Sequence, residues 1–171
     1  NNVGLTEFQK LAGQIIIALI FFFIYMKSGA KPVLEFYTLG FEINLGWFYG
    51  IFLLFMLVAS SNAVNITDGL DGLAGGLSLI AFLTFALISA NSPAIEGTSD
   101  ISVFCFVLVG CLIGFLAFNS HPAKVFMGDT GSLALGATLA TIAIITKHEL
   151  TFIVVAGVFI FETLVCLIQI I

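Results

Sequence analysis

Asn62-Ala63-Val64-Asn65-Ile66-Thr67-Asp68-Gly69-Leu70-Asp71-Gly72-Leu73-Ala74-Gly75-Gly76 places two carboxylates, two carboxamides and four glycines between hydrophobic runs. A second polar knot, Asn119-Ser120-His121-Pro122-Ala123-Lys124-Val125-Phe126-Met127-Gly128-Asp129-Thr130-Gly131-Ser132, stands in the same relation to its own neighbours. Working outward from the two knots, six apolar runs follow: Leu11–Met26, Gly46–Ala63, Leu73–Ala90, Ile101–Phe118, Ser132–Thr146 and Leu150–Ile171. Roughly 17–25 apolar residues cross a bilayer as a helix. Lipid offers no partner for backbone N–H and C=O groups, so every run that spans must be helical. The expected fold is an all-α polytopic membrane protein with about six transmembrane helices, in a single integral-membrane domain covering residues 1–171. The fifth run is short and is expected to extend into its flanking residues.

Composition agrees. The chain is 60% hydrophobic and 9% charged, against roughly 45–50% and about 25% in soluble domains. The net charge of −5 is spread thinly and no basic cluster offers a nucleic-acid surface. Cys105, Cys111 and Cys166 fall in apolar runs without C-x-x-C spacing, and read as small hydrophobes. No leader precedes a cleavage site, and the chain stops inside an apolar run; it reads as the interior of a longer polypeptide. Between the first two spans, Val33, Phe36, Phe41 and Ile43 around Gly40 suggest a small β-hairpin outside the bilayer. The linker Asn91–Asp100 and the turn Lys147-His148-Glu149 complete the connections.

The first knot follows the second span and the second follows the fourth. Two crossings separate them, so both emerge on one side of the membrane, with the hairpin and the other connections opposite. Lys10 and Lys124 lie on the knot side, Lys27, Lys31 and Lys147 on the other. Lysine counting by the positive-inside rule therefore does not set the orientation.

The knots have the chemistry of a site. Ionisable residues within the membrane are costly and usually mark a site, and Asp68 and Asp71 cluster at a span boundary. Asp68 and Asp71 are three residues apart, neighbours if that turn is helical. No Lys or Arg lies within ten residues of either, so a divalent cation would supply the missing counter-charge. Oxygen donors from Asp and Asn suit Mg2+, which takes one or two carboxylates plus substrate phosphate oxygens. Asp129 could add a carboxylate to the same ion. Gly128, Gly131 and Ser132 stand where a helix begins, with free N–H groups for a phosphate, and Ser132 or Thr130 is a fair N-cap. Lys124 suits either a phosphate contact or an interfacial anchor, and Phe126 either base stacking or the membrane interface. His121 and His148 have no partner at metal-ligand spacing and read as loop residues. Glu162, within the last span, suits a bundle interior.

Asn62–Gly76 and Pro122–Gly136 together resemble the polyprenyl-phosphate N-acetylhexosamine-1-phosphate transferase superfamily, and within it the bacterial phospho-N-acetylmuramoyl-pentapeptide transferase family. The resemblance covers essentially the whole chain. It implies transfer of phospho-N-acetylmuramoyl-pentapeptide from its UDP-linked donor to undecaprenyl phosphate, giving lipid I and UMP in peptidoglycan synthesis. It further implies a multi-pass protein of the bacterial cytoplasmic membrane, with Mg2+ as cofactor and the active site facing the cytoplasm. That family has ten transmembrane helices, of which these six would be the fourth through ninth. Its adjacent aspartate pair and histidine-rich loop have no counterpart in this chain. Position by position, the resemblance makes Asp129 the Mg2+ ligand and a catalytic residue, and Asp68 the second catalytic residue. Gly69, Leu70 and Asp71 resemble the uracil pocket, and Phe126 the ring that stacks on uracil. Asn62, Asn65, Asn119 and Gln169 match polar positions of the nucleoside and phosphate groove, and Ser132 a residue near the metal loop. A homodimer is compatible with the family, although no residue here argues for one.

Two other readings compete. A sister transferase would move N-acetylglucosamine-1-phosphate to the same lipid and share the metal and uridine positions. An ion-coupled transporter would use Asp68 and Asp71 as cation ligands at broken helices, but it calls for these acids near mid-span and for an internal repeat, whereas they sit at span ends and no repeat is seen.

Overall fold

The computed structural model describes residues 4–36, 40–91 and 97–170, which form two compact units, Asn1–Ala59 and Ser60–Ile171. The tip of the expected hairpin (37–39) and half of the linker expected between the third and fourth spans (92–96) lie outside the described residues.

In the first unit, α1 (Glu7–Lys27) begins at a capping box. The Gln9 N–H donates to Thr6 Oγ1 at 3.3 Å and the Thr6 N–H to Gln9 Oε1 at 2.9 Å, satisfying two donors that a helix start leaves open. The helix therefore starts before the apolar run that betrayed it. Strands β1 (Val33–Phe36) and β2 (Phe41–Asn44) pair antiparallel, with Val33 opposite Asn44 and Phe36 opposite Phe41, as expected for the hairpin. The start of α2 (Phe48–Thr67) packs on α1. The rings of Tyr25 and Tyr49 stack with centroids 5.7 Å apart. One turn away Gly50 admits the Phe22 ring, where a Cβ would come within 2.8 Å of it.

The second unit holds the end of α2 together with α3 (Leu73–Ala90), α4 (Thr98–Asn119), α5 (Gly128–Ile145), α6 (Glu149–Val155) and α7 (Gly157–Ile170). Helices α3 and α4 run antiparallel: Ser102, near the start of α4, donates to the Ala86 carbonyl near the end of α3 at 2.9 Å. At the other end Gly75 lies against Phe115 and Leu116. Lipid tails are as apolar as leucine, so small residues and hydroxyls rather than hydrophobicity must bring spans together. The α2–α5 contact shows this directly. A Cβ on Gly136 would collide with the Ser60 carbonyl oxygen. Ser60 Oγ donates to the Gly136 carbonyl at 2.6 Å, and Ser61 Oγ to that of Leu133 at 3.0 Å. Phe82, Phe85, Leu139 and Ile144 fill the core, while Ile80, Val103, Val107 and Ile113 are exposed, as residues facing lipid would be.

Five helices, α1 to α5, are long and apolar enough to cross a membrane, and α6 with α7 makes a sixth crossing if taken as one bent span. The bend corrects the expectation of a single helix over Leu150–Ile171. The two pieces meet at 63°, where Ala156 has ψ near 2° and closes α6 by donating to the Phe152 carbonyl at 2.7 Å. Gly157, the next residue, has a helix propensity about 1 kcal/mol poorer than alanine. An apolar run records none of this. As expected, α5 extends beyond its apolar run, starting four residues earlier at Gly128.

Candidate active site

Helix α2 runs through the polar part of the first knot as far as Thr67, whose hydroxyl donates back to the Ala63 carbonyl at 2.8 Å. The chain then leaves the helix. Residues 68–72 form a turn closed by Gly72, whose φ of +77° favours glycine. Asp68 and Asp71 are therefore not neighbours on a helical surface, and each meets its own set of partners.

Asp68 turns toward the start of α5. The Gly128 backbone N–H donates to its carboxylate and Asp129 lies within electrostatic range. Burial, the largest influence, pushes the Asp68 carboxyl above its ordinary value; the Gly128 N–H opposes this and the Asp129 charge adds to it. Gly128 has a φ of +66°. Asn65, on the last turn of α2, forks between the same elements: its Nδ2 lies 3.1 Å from Asp129 Oδ1 and 2.8 Å from Ser132 Oγ. Ser132 is fully buried and its hydroxyl donates to the Gly128 carbonyl at 3.0 Å, one turn back. Neither Ser132 nor Thr130 is the N-cap, since Met127 holds that position without a side-chain bond. Ser132 instead stands behind Asn65 as a wall of the site.

Asp71 faces the loop between α4 and α5. Its Oδ2 accepts the Ala123 backbone N–H at 3.0 Å and lies 3.1 Å from His121 Nδ1. Those two contacts, the Ala123 N–H first, hold the Asp71 carboxyl below its ordinary value. Asn119, buried at the end of α4, joins the knots a second time: its Oδ1 accepts the Gly72 N–H at 3.0 Å and its Nδ2 donates to the Val125 carbonyl at 2.8 Å. Gly69, Leu70, Lys124 and Phe126 are exposed on the two loops, Phe126 to 73%. Asn62 is half-buried one turn before Asn65. Gln169 is exposed near the end of α7, and among the described residues no hydrogen bond joins it to either loop.

Among the described residues no group of three or more His, Cys, Asp or Glu side chains converges as a complete metal cage. The Asp68–Asp129 pair suits a different arrangement. Two carboxylates in each other's field, beside a carboxamide, fit a hard cation that takes one or two carboxylates and completes its shell with water and phosphate oxygens.

The model describing glycosyl transferase family 4 matches residues 2–147. The chain belongs to that family. Among its curated relatives, the phospho-N-acetylmuramoyl-pentapeptide-transferase of Geobacillus thermodenitrificans (strain NG80-2) is 54% identical over 169 residues, 99% of this chain and 51% of the relative. The protein of the same name from Bacillus subtilis (strain 168) is 49% identical over 170 residues, with the same shares of each chain. The chain spans about half the length of the curated relatives it matches.

The glycosyl transferase family 4 match takes in both knots and ends before α6, leaving Gln169 outside it. Two participants escaped the sequence reading, His121 and the Ala123 N–H, while the Gly128 N–H, expected to be free for a phosphate, donates to Asp68 instead. Backbone donors have no sequence signature. His121 lacked a partner at any recognisable spacing because its partner lies fifty residues away.

Proposed function

We propose that the protein of which this chain forms part transfers phospho-N-acetylmuramoyl-pentapeptide from UDP to undecaprenyl phosphate, releasing UMP, in a bacterial cytoplasmic membrane with both loops on the cytoplasmic side. The observation that carries this reading is the meeting of the two knots, where Asn65 bridges to Asp129 and Ser132 and the Gly128 N–H reaches Asp68. The names of the relatives support the choice of donor.

On this reading Asp129, with Asp68 beside it, holds Mg2+, which when bound screens the repulsion between two phosphorylated substrates and stabilises charge on the UMP leaving group. Asn65 fixes the Asp129 carboxylate, and the Ser132 hydroxyl fixes Asn65. The attacking group is a lipid phosphate oxygen, already anionic at neutral pH, so Asp68 acts as a positioning and electrostatic group rather than a strong base. Gly69, Leu70 and Asp71 border a uracil site, with the exposed Phe126 ring as the surface on which the base stacks. Such a contact is worth about 1–3 kcal/mol in nucleic-acid systems.

The test is UMP release by the full-length protein in detergent with undecaprenyl phosphate, Mg2+ and either UDP-N-acetylmuramoyl-pentapeptide or UDP-N-acetylglucosamine. Release with the first donor is expected, abolished by chelation and lowered about 10²–10³-fold by Asp129→Asn, the scale of losing a preorganised electrostatic group. Release with UDP-N-acetylglucosamine alone would assign the sister reaction to the same site. No release with either donor, from folded protein, would overturn a transferase function.

A further inference from the structure

The loop after α4 carries Lys124, Val125 and Phe126, all exposed. On one side it is tied to its own helix: the N–H groups of Lys124 and Val125 donate to the Phe118 carbonyl at 2.8 and 3.3 Å, and Asn119 Nδ2 holds the Val125 carbonyl. Across the gap to the first knot, Asp71 Oδ2 gathers the Ala123 N–H and His121 Nδ1. Both contacts use a single carboxylate oxygen. Asp71 Oδ1 has no protein donor among the described residues.

We propose that His121 is a positioning residue for the nucleotide end of the site: through Asp71 it latches the Phe126 loop onto the 68–72 turn and fixes the carboxylate's rotation, so that Oδ1 and the Phe126 ring are presented together. This rests on the function proposed above, because it takes the Asp71–Phe126 neighbourhood as the place where the base sits. A carboxylate can only accept, so the neutral imidazole must carry its proton on Nδ1 to take part. The aimed atom is therefore Nδ1. An asparagine at 121 places an amide N–H close to that position, whereas alanine removes the donor and leaves the Ala123 bond in place.

The His121 side chain is 85% exposed and that of Asp71 28% exposed, so the latch is solvent-facing and its effect is modest. Losing one such hydrogen bond corresponds to about a three- to tenfold change in an equilibrium constant. Two readouts on the full-length protein test it, with thermal unfolding as a check on folding. In steady-state transfer, His121→Ala is expected to raise KM for the UDP-linked donor about three- to tenfold, leaving kcat and the KM for undecaprenyl phosphate unchanged. His121→Asn should restore the wild-type value, and His121→Ala should add nothing in an Asp71→Ala background, where the acceptor is gone. Equilibrium binding of UMP, by calorimetry, should show the same loss and the same rescue whichever sugar is transferred. Equal UMP affinity in wild type and His121→Ala would overturn the latch and leave the transferase function standing. An Asn variant as impaired as Ala would also overturn it, as would a fall confined to kcat. A wild-type protein that neither binds UMP nor releases it would overturn both the latch and the function beneath it.

Discussion

Asp68 and Asp71 are three residues apart in one turn, with opposite surroundings. Asp68 looks into a part-buried corner with a second carboxylate, Asp129, for company, and its carboxyl is pushed up. Asp71 looks out toward a loop that supplies an N–H and an imidazole, and its carboxyl is pulled down. The first environment disfavours the charge it holds; the second welcomes it. Two carboxylates held in each other's field mark a place where a cation or a developing charge is welcome, whereas a carboxylate that already meets an N–H and an imidazole does structural work. One glycine-rich turn thus serves a reactive corner and a latch, because leaving the helix after Thr67 sends the two side chains to different partners.

The largest effect should come from separating the elements that form the reactive corner. Gly136 sets the approach of α5 to α2, and a Cβ there meets backbone that cannot swing aside. Gly136→Ala is expected to cost about 1–3 kcal/mol, the usual range for overpacking, read as a lower Tm. The disturbance should reach Asn65, Asp129 and Ser132, which hang on the same two helices. The Asp71–His121 latch, carried by α4 and the turn, should keep its UMP affinity. Equal damage at both ends would erase the distinction.

A smaller effect should appear in the pH dependence of stability in Mg2+-free protein. Asp68 binds its proton more tightly when folded, so its favourable contribution is fully present below the ordinary value of 3.8 and is lost as pH rises through its raised folded value. Asp71 has the opposite sign: its contribution is present above 3.8 and is lost as pH falls through its lowered folded value. At neutral pH, Asp68→Asn should therefore raise Tm slightly, while Asp71→Asn should lower it slightly. The gain from Asp68→Asn should vanish near pH 3. Melting curves across pH would show two acids with one sign if the turn were a single uniform environment.

How much of this could be read from the chain differs between scaffold and site. Apolar runs marked the membrane-crossing helices well, and Leu73–Ala90 matches α3 to the residue. Hydropathy measures the lipid slab, however, and helices end where backbone groups find caps. This is why α1 starts at the Thr6–Gln9 box and why α2 carries Asn65 and Thr67 on its last turn. The break at Ala156–Gly157 was invisible because both halves are equally apolar. Parity of crossings placed the knots on one side, and the Asn65–Asp129 bond brings them into contact. Which carboxylate faces what was not legible. It depends on the turns that Gly72 and Gly128 permit through their positive φ, which glycine allows, and on which backbone N–H each carboxylate then meets, which no residue type announces. Ser132 has the right residue type for an N-cap, but the Asn65 amide and the Gly128 carbonyl engage its hydroxyl instead.

The division between the two ends can be measured directly by Mg2+ binding to the full-length protein, through calorimetry or Mn2+ displacement, in wild type, Asp129→Asn and Asp71→Asn. Asp129→Asn is expected to lose binding at least tenfold, a loss of about 1.4 kcal/mol or more, with Asp71→Asn indistinguishable from wild type. Loss of Mg2+ affinity in Asp71→Asn equal to that in Asp129→Asn would contradict the assignment of the reactive corner to Asp68 and Asp129 and of the latch to Asp71.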